Sequence, residues 1–235
     1  MSDTTTSKLD LWQRFLASNR IDEESVPLFA SNGDIAATMQ YGHDGRLILR
    51  RSTEMDSLMR QLGKQLIEEF RNGKVTNDGI LYLMFRRELR GVVPLYFGKA
   101  EIYGKGDANL SANISDLASG DGKFGRWGYN YAYHIGDLSA VTLEGHPGSK
   151  RTRKYEAWRR ALFADTDGSL KMKGDLRFWA CLWGPERKSI WREYGTTRLA
   201  FEEYLLIGVA SDLFPNELLN REGRNKLELT LGKKT

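Results

Sequence analysis

The stretch that most constrains this chain is residues 79–99, GILYLMFRRELRGVVPLYFGK. Gly79 to Phe85 form an unbroken apolar and aromatic run, the pattern of a strand buried on both faces. The charged link Arg86-Arg87-Glu88-Leu89-Arg90-Gly91 interrupts it, and a second run, Val92 to Phe97, stops at Gly98-Lys99. Two such runs joined by a short, glycine-containing polar link predict a β-hairpin. Each strand of that hairpin carries a tyrosine, Tyr82 and Tyr96.

The segments around it are ordinary for a globular chain. Leu9, Leu11, Trp12, Phe15 and Leu16 predict a short helix from about Asp10 to Ser18. The runs 35–41 and 46–49 flank Gly42-His43-Asp44-Gly45, an Asp-Gly turn signal, and predict a hairpin. Met55, Leu58, Met59, Leu62, Leu66, Ile67 and Phe70 fall on one stripe of a helix over about Thr53–Asn72, with Asn72-Gly73 as its stop. Residues 1–77 therefore read as an N-terminal extension with its own helices and hairpin. After the 79–99 hairpin, residues 101–108 read as a loop and Leu110–Leu117 as a short helix. The glycine-rich 119–128 lacks the closing Gly-Lys-Ser/Thr of a phosphate loop. Aromatic alternation in Tyr129 to Ile135 predicts a strand, and about Ala140–Leu143 a second one. Residues 176–183 form another aromatic strand, and about Thr197–Leu213 a helix that is apolar nearly all round, followed by Pro215 and a polar tail over 223–235.

Composition sets limits on function. Of 235 residues, 40% are hydrophobic and 28% charged, which is globular rather than disordered. No apolar run reaches the length of a membrane span, and the first ten residues lack a leader's apolar core. The single cysteine, Cys181, allows no intramolecular disulfide and fits a reducing cytoplasm. Three histidines and one cysteine, without metal-ligand spacing, argue against a zinc site. A formal net charge of +4 permits a polyanionic partner without demanding one. The most basic window, 146–160, holds Lys150, Arg151, Arg153, Lys154, Arg159 and Arg160 against the lone Glu156. These cations read either as a solvated helix start or as contacts to a phosphate backbone.

On the apolar C-terminal helix, Glu202 and Glu203 stand out, because a carboxylate there must be paired, protonated or bound to a cation. Helical spacing puts Glu203 on a face with Leu199, Leu206, Ile207 and Ala210, and Glu202 to one side, so one can be solvated while the other points inward.

Gly79-Ile80-Leu81-Tyr82, followed by Leu95-Tyr96-Phe97-Gly98-Lys99-Ala100, resembles the paired strands of the GIY-YIG nuclease family. Leu81 stands where that family carries a tyrosine, with Tyr82 one place later, and Phe97 replaces an isoleucine. Glu203-Tyr204-Leu205-Leu206-Ile207, then Pro215 and Asn220, is similar to the family's helix glutamate and the proline and asparagine beyond it. Together these motifs span about 78–222. The resemblance implies an α+β fold, a small mixed or antiparallel sheet flanked by helices, with an insertion at about 145–195. That insertion and the N-terminal third would supply target recognition. It further implies an endonuclease that needs Mg²⁺ (or Mn²⁺) and hydrolyses DNA in the cytoplasm, of restriction or mobile-element type, with no membrane partner and room for a homo-oligomer. Tyr82 or Tyr96, made more acidic by cations near Lys99, would deprotonate water. Lys99 and Arg126 would bind phosphate oxygens, and Glu203 would hold the metal. The helix arginine of the family is missing: Asn113 stands near its place, and Arg126 is the nearest candidate. His134 is a further candidate, since some relatives carry a histidine near that arginine. The displaced tyrosine and missing arginine favour a rival, a non-catalytic nucleic-acid-binding protein of the same fold; the many tryptophans allow a third reading, a protein-interaction module whose tryptophans line an interface.

Overall fold

A computed structural model describes residues 7–104, 109–115, 125–164 and 168–225. The chain opens with α1 (Lys8–Ser18), α2 (Ile21–Glu24), β1 (Val26–Pro27), β2 (Ser31–Asn32), β3 (Ile35–Ala36), β4 (Thr38–Tyr41), β5 (Arg46–Leu49) and α3 (Thr53–Arg71). The hairpin β6 (Gly79–Glu88) and β7 (Gly91–Glu101) follows, then α4 (Ala112–Ser115), α5 (His134–Thr142), α6 (Arg153–Leu162), β8 (Asp175–Trp183) and α7 (Leu199–Leu213). The starts of α1 and α3 are locally encoded. The Ser7 hydroxyl accepts from the Asp10 amide while the Asp10 carboxylate accepts from the Ser7 amide, and Ser52 caps α3 by accepting from the Met55 amide.

The fold is α+β, built on a four-stranded sheet in the order β1-β8-β6-β7, antiparallel throughout. β6 is central: Tyr82 pairs with Gly98 of β7 on one side and with Ala180 of β8 on the other. Its alternate residues feed two cores. Ile80, Tyr82 and Met84 join Met55, Met59 and Leu66 of α3, Ile135 and Leu138 of α5, and Trp158 of α6. Leu81, Leu83 and Phe85 join Trp12 and Phe15 of α1 and Leu206 and Ala210 of α7. Burial on both faces is the reason the run from Gly79 to Phe85 carries no polar alternation. β8, within the segment read as an insertion, is a full partner of β6 over Asp175–Arg87 to Trp183–Gly79. β1, from the N-terminal third, extends the same sheet through Val26↔Phe178.

The structure corrects two strands. Tyr129 to Ile135 is not extended: it is a turn that enters α5 at His134, and Ala140–Leu143 lies at the end of that helix. Ala132 sits at φ 71, which breaks any strand. The turn then folds back over Gly136, where an added Cβ would meet the Asn130 carbonyl oxygen at 2.1 Å. Aromatic alternation imitated a strand because successive tyrosines serve different neighbours: Tyr129 is buried, whereas the Tyr131 hydroxyl lies 2.9 Å from His146 Nδ1. Parts of the predicted loop 101–108, helix 110–117 and glycine-rich 119–128 lie outside the described residues. Among those described, α4 covers Ala112–Ser115.

Candidate active site

β7 is an edge strand, and this determines where the candidate residues meet. Tyr96 and Lys99 are three residues apart and so leave β7 on opposite faces. The chain beyond α7 covers the open edge. Leu219 donates its amide to the Leu95 carbonyl at 2.7 Å. The Asn220 side chain makes both bonds of a strand partner, donating to the Phe97 carbonyl and accepting from its amide, each at 2.9 Å. Between this segment, β7, α6, α7 and the loop before α5 lies a cleft of about 480 Å³, lined by Tyr96, Lys99, Arg126, Lys154, Glu203 and Glu222 among others. Four of the six predicted catalytic residues are thereby brought together.

Tyr82 and His134 are the other two, and they lie behind the cleft wall. Tyr82 is 2% exposed and packs over Gly98, where an added Cβ would stand 2.4 Å from its ring. The Tyr82 hydroxyl lies 3.4 Å from His134 Nε2, and His134 Nδ1 lies 2.8 Å from the Tyr155 hydroxyl. The three groups form a buried relay, with the Tyr96 ring packed at 5.4 Å against the imidazole. Tyr155 escaped the sequence reading, since a tyrosine inside a basic helix carries no signal of an inward role.

Electrostatics reverses one expectation. The cations do not acidify the tyrosines. Burial pushes Tyr96 up to about 12 and Tyr82 well above the ordinary phenol value, and the opposing pull of Arg126 does not overcome it. Both carry their protons at neutral pH. Burial, followed by the charges of Lys154 and Arg126, holds His134 well below the usual imidazole range, so it is neutral.

The two glutamates divide between the interior and the cleft. Glu202 is the inward one: fully buried, it accepts from the Ile190 amide at 3.0 Å and the Thr197 hydroxyl at 2.9 Å. The loop over 190–197 folds across the first turn of α7 and satisfies this carboxylate, which makes it structural. Glu203 is half-buried and faces the cleft. Burial raises its carboxyl to about 7, with Lys99 pulling down and Glu101 and Glu222 pushing up. Lys99 itself is paired with Glu101 at 2.6 Å.

Arg126 is exposed at the cleft mouth, held at φ 77, a conformation non-glycine residues seldom adopt. Its Nη1 donates to the Ala132 carbonyl at 3.4 Å, and its own carbonyl accepts from the His134 amide at 2.6 Å. The arginine and the histidine are therefore fixed to one another through backbone.

No known protein family, curated protein or solved structure matches the chain. The site must be read from its own chemistry.

Among the described residues, no three His, Cys, Asp or Glu side chains gather as a ligand cluster. The donor set in the cleft is Glu203 with Glu222 nearby. A carboxylate whose ionisation is opposed by burial and by two further carboxylates suits a hard divalent cation that keeps most of its waters. The fit is to Mg²⁺ or Mn²⁺, not to a soft metal.

The basic window is divided by the structure. Lys154 lines the cleft. Lys150 stands over the Tyr131 ring at 5.1 Å. Arg151 pairs with Glu156 at 3.6 Å, while Arg153 and Arg160 are exposed on α6 and Arg159 is half-buried. No helix among the described residues is long and apolar enough to cross a membrane.

Proposed function

We propose that this chain is a DNA endonuclease related to the GIY-YIG family, hydrolysing phosphodiester bonds with the help of Mg²⁺ or Mn²⁺. One observation carries the reading. Tyr96, Lys99, Arg126 and Glu203 come from an edge strand, a loop and a helix, yet they line one cleft. The order of elements supports it: a tyrosine-bearing hairpin, intervening helices, a third strand beside the first, then the glutamate helix.

In this mechanism Lys99 and Arg126 bind non-bridging phosphate oxygens and stabilise the charge that grows on them, Arg with two parallel donors. Tyr96 faces the reacting centre and, carrying its proton, orients the attacking water through its hydroxyl. Tyr82 and His134 hold the wall behind it. Glu203 is the residue that would hold the metal. A divalent cation held there would supply Lewis acidity toward the phosphate and would ease deprotonation of the attacking water. We place the protein in the cytoplasm, with DNA as its partner.

The test is nicking of supercoiled plasmid and of genomic DNA with Mg²⁺, with EDTA, and by Glu203→Ala. Cleavage that needs the metal and disappears in the variant is expected. Arg126→Ala should lower the cleavage rate by about 10²–10³-fold, the usual cost of removing one charge-stabilising donor. The protonated state of both tyrosines favours one rival, a non-catalytic DNA-binding protein. Salt-sensitive DNA binding without cleavage on either substrate would establish that rival instead.

A further inference from the structure

Lys154 differs from the other cations of its helix. Its Nζ stands over three aromatic rings at once, 5.2 Å from the Tyr96 centroid, 5.2 Å from Tyr155 and 5.5 Å from Trp158. The floor is rigid, because Tyr96 and Trp158 pack at 4.8 Å and Tyr155 and Trp158 at 5.3 Å. Ring faces attract an ammonium and hold it in one place while displacing water from that side. The remaining side of Lys154 opens into the cleft. Among the described residues, no carboxylate comes within ion-pair distance of it.

The charges facing Lys154 make it ready for an anion. Burial, then repulsion from Arg126 and Arg221, lowers its proton affinity, while Asp137 and Glu222 act in the opposite sense. Arg126 and Arg221 line the same cleft. Cations lining one cleft relieve their repulsion by sharing an anion. Arg153 and Arg160, on the same helix, are exposed and have neither floor nor cleft.

We propose that Lys154, with Arg126 and Arg221, forms a phosphate-binding site on an aromatic floor and grips a non-bridging oxygen of the reacting phosphodiester, rather than tracking the DNA backbone outside the cleft. That the anion is the reacting phosphate rests on the endonuclease reading. The anion site itself does not.

Two measurements separate these claims. Binding of inorganic phosphate in EDTA is measured by calorimetry for the unmodified chain, Lys154→Met, Lys154→Arg and Arg153→Met. Lys154→Met should weaken phosphate binding at least tenfold, while Lys154→Arg and Arg153→Met retain it. Thermal unfolding checks that Met keeps the contact with the rings. Phosphate binding that ignores Lys154→Met in a folded protein would overturn the site, whether or not the chain is a nuclease. On cleaved DNA, Lys154→Met should lower kcat by about 10²-fold with KM and the salt dependence of binding little changed. Arg153→Met should instead raise KM. A Lys154→Met variant that only raises KM would place Lys154 outside the reacting centre. Phosphate binding that Lys154→Met abolishes, in a protein whose unmodified form cuts no DNA, would keep the anion site and sink the endonuclease reading.

Discussion

At the scale of single residues, His134 is the side chain whose chemistry is most constrained. It lies between Tyr82 and Tyr155, with the Trp127 and Trp158 rings each 4.9 Å from its own. A neutral imidazole offers one donor and one acceptor, so the two phenols must take complementary roles. A second proton would put a charge in this apolar enclosure. Folded His134 therefore titrates well below 6.5, whereas the unfolded chain titrates near the ordinary value. Below about pH 6.5 the unfolded state binds the extra proton, and stability must fall, by up to about 1.4 kcal/mol per pH unit for one proton. The unmodified chain should lose more thermal stability between pH 7.5 and 5.5 than His134→Gln. Parallel pH profiles for the two would remove His134 as the cause. Gly98 is constrained sterically, by the Tyr82 ring that covers it. Gly98→Ala should cost about 1–3 kcal/mol, the usual range for an overpacked core. An unchanged denaturation midpoint would contradict the packing described. Of these residues the sequence showed that Tyr82 and Tyr96 belong to strands. It could not show that burial would outweigh nearby cations in setting their proton affinity, since burial depends on residues far away in the chain.

At the scale of elements, the site depends on how an edge strand is closed. Asn220 takes the place of a neighbouring strand at Phe97, between Tyr96 and Gly98, and so fixes the part of β7 that presents Tyr96 and Lys99. Asn220→Ala leaves a buried amide and carbonyl without partners, which should cost about 1–3 kcal/mol. The denaturant midpoint should fall with the slope unchanged, and Asn220→Asp should recover the accepting half of the pair alone. β6, β7, α3 and α7 were all legible, because burial on both faces leaves an unbroken apolar run and burial on one stripe leaves a helical period in the residues. The region from Tyr129 to Leu143 was not. Its period of two comes from a turn whose tyrosines have separate partners, and the positive φ of Ala132 leaves no trace in an alanine. Which glutamate points inward was left open for a related reason: helical spacing gives faces, but what covers Glu202 is a loop supplied from 190–197.

At the scale of the whole molecule, the question is whether the N-terminal third can be removed from the proposed nuclease core. The sheet answers through its two faces. On one, Leu11, Trp12, Phe15 and Ile21 cover Leu81, Phe97 and Trp179, with Trp12 edge-on to Phe97 at 6.2 Å and Phe15 edge-on to Trp179 at 5.7 Å. On the other, Met55, Met59, Leu66 and Ile67 of α3 cover Ile80 and Met84. Arg51 adds a polar tie: fully buried, it donates to the Trp127 carbonyl at 2.6 Å and so fixes the loop that carries Arg126. At about 1.5–3 kcal/mol per buried side chain, the four residues on the first face alone are worth roughly 6–12 kcal/mol. That equals the whole net stability of an ordinary domain, about 5–15 kcal/mol. A fragment beginning at Asp78 should therefore lack a cooperative unfolding transition and expose apolar surface to a hydrophobic dye, whereas the full chain unfolds in one step. It should also lose the cleft, because Arg126 would no longer be anchored. A fragment that unfolds sharply, binds no dye and retains Mg²⁺-dependent nicking would show the opposite: a self-sufficient catalytic unit to which the N-terminal third only adds contacts with the target.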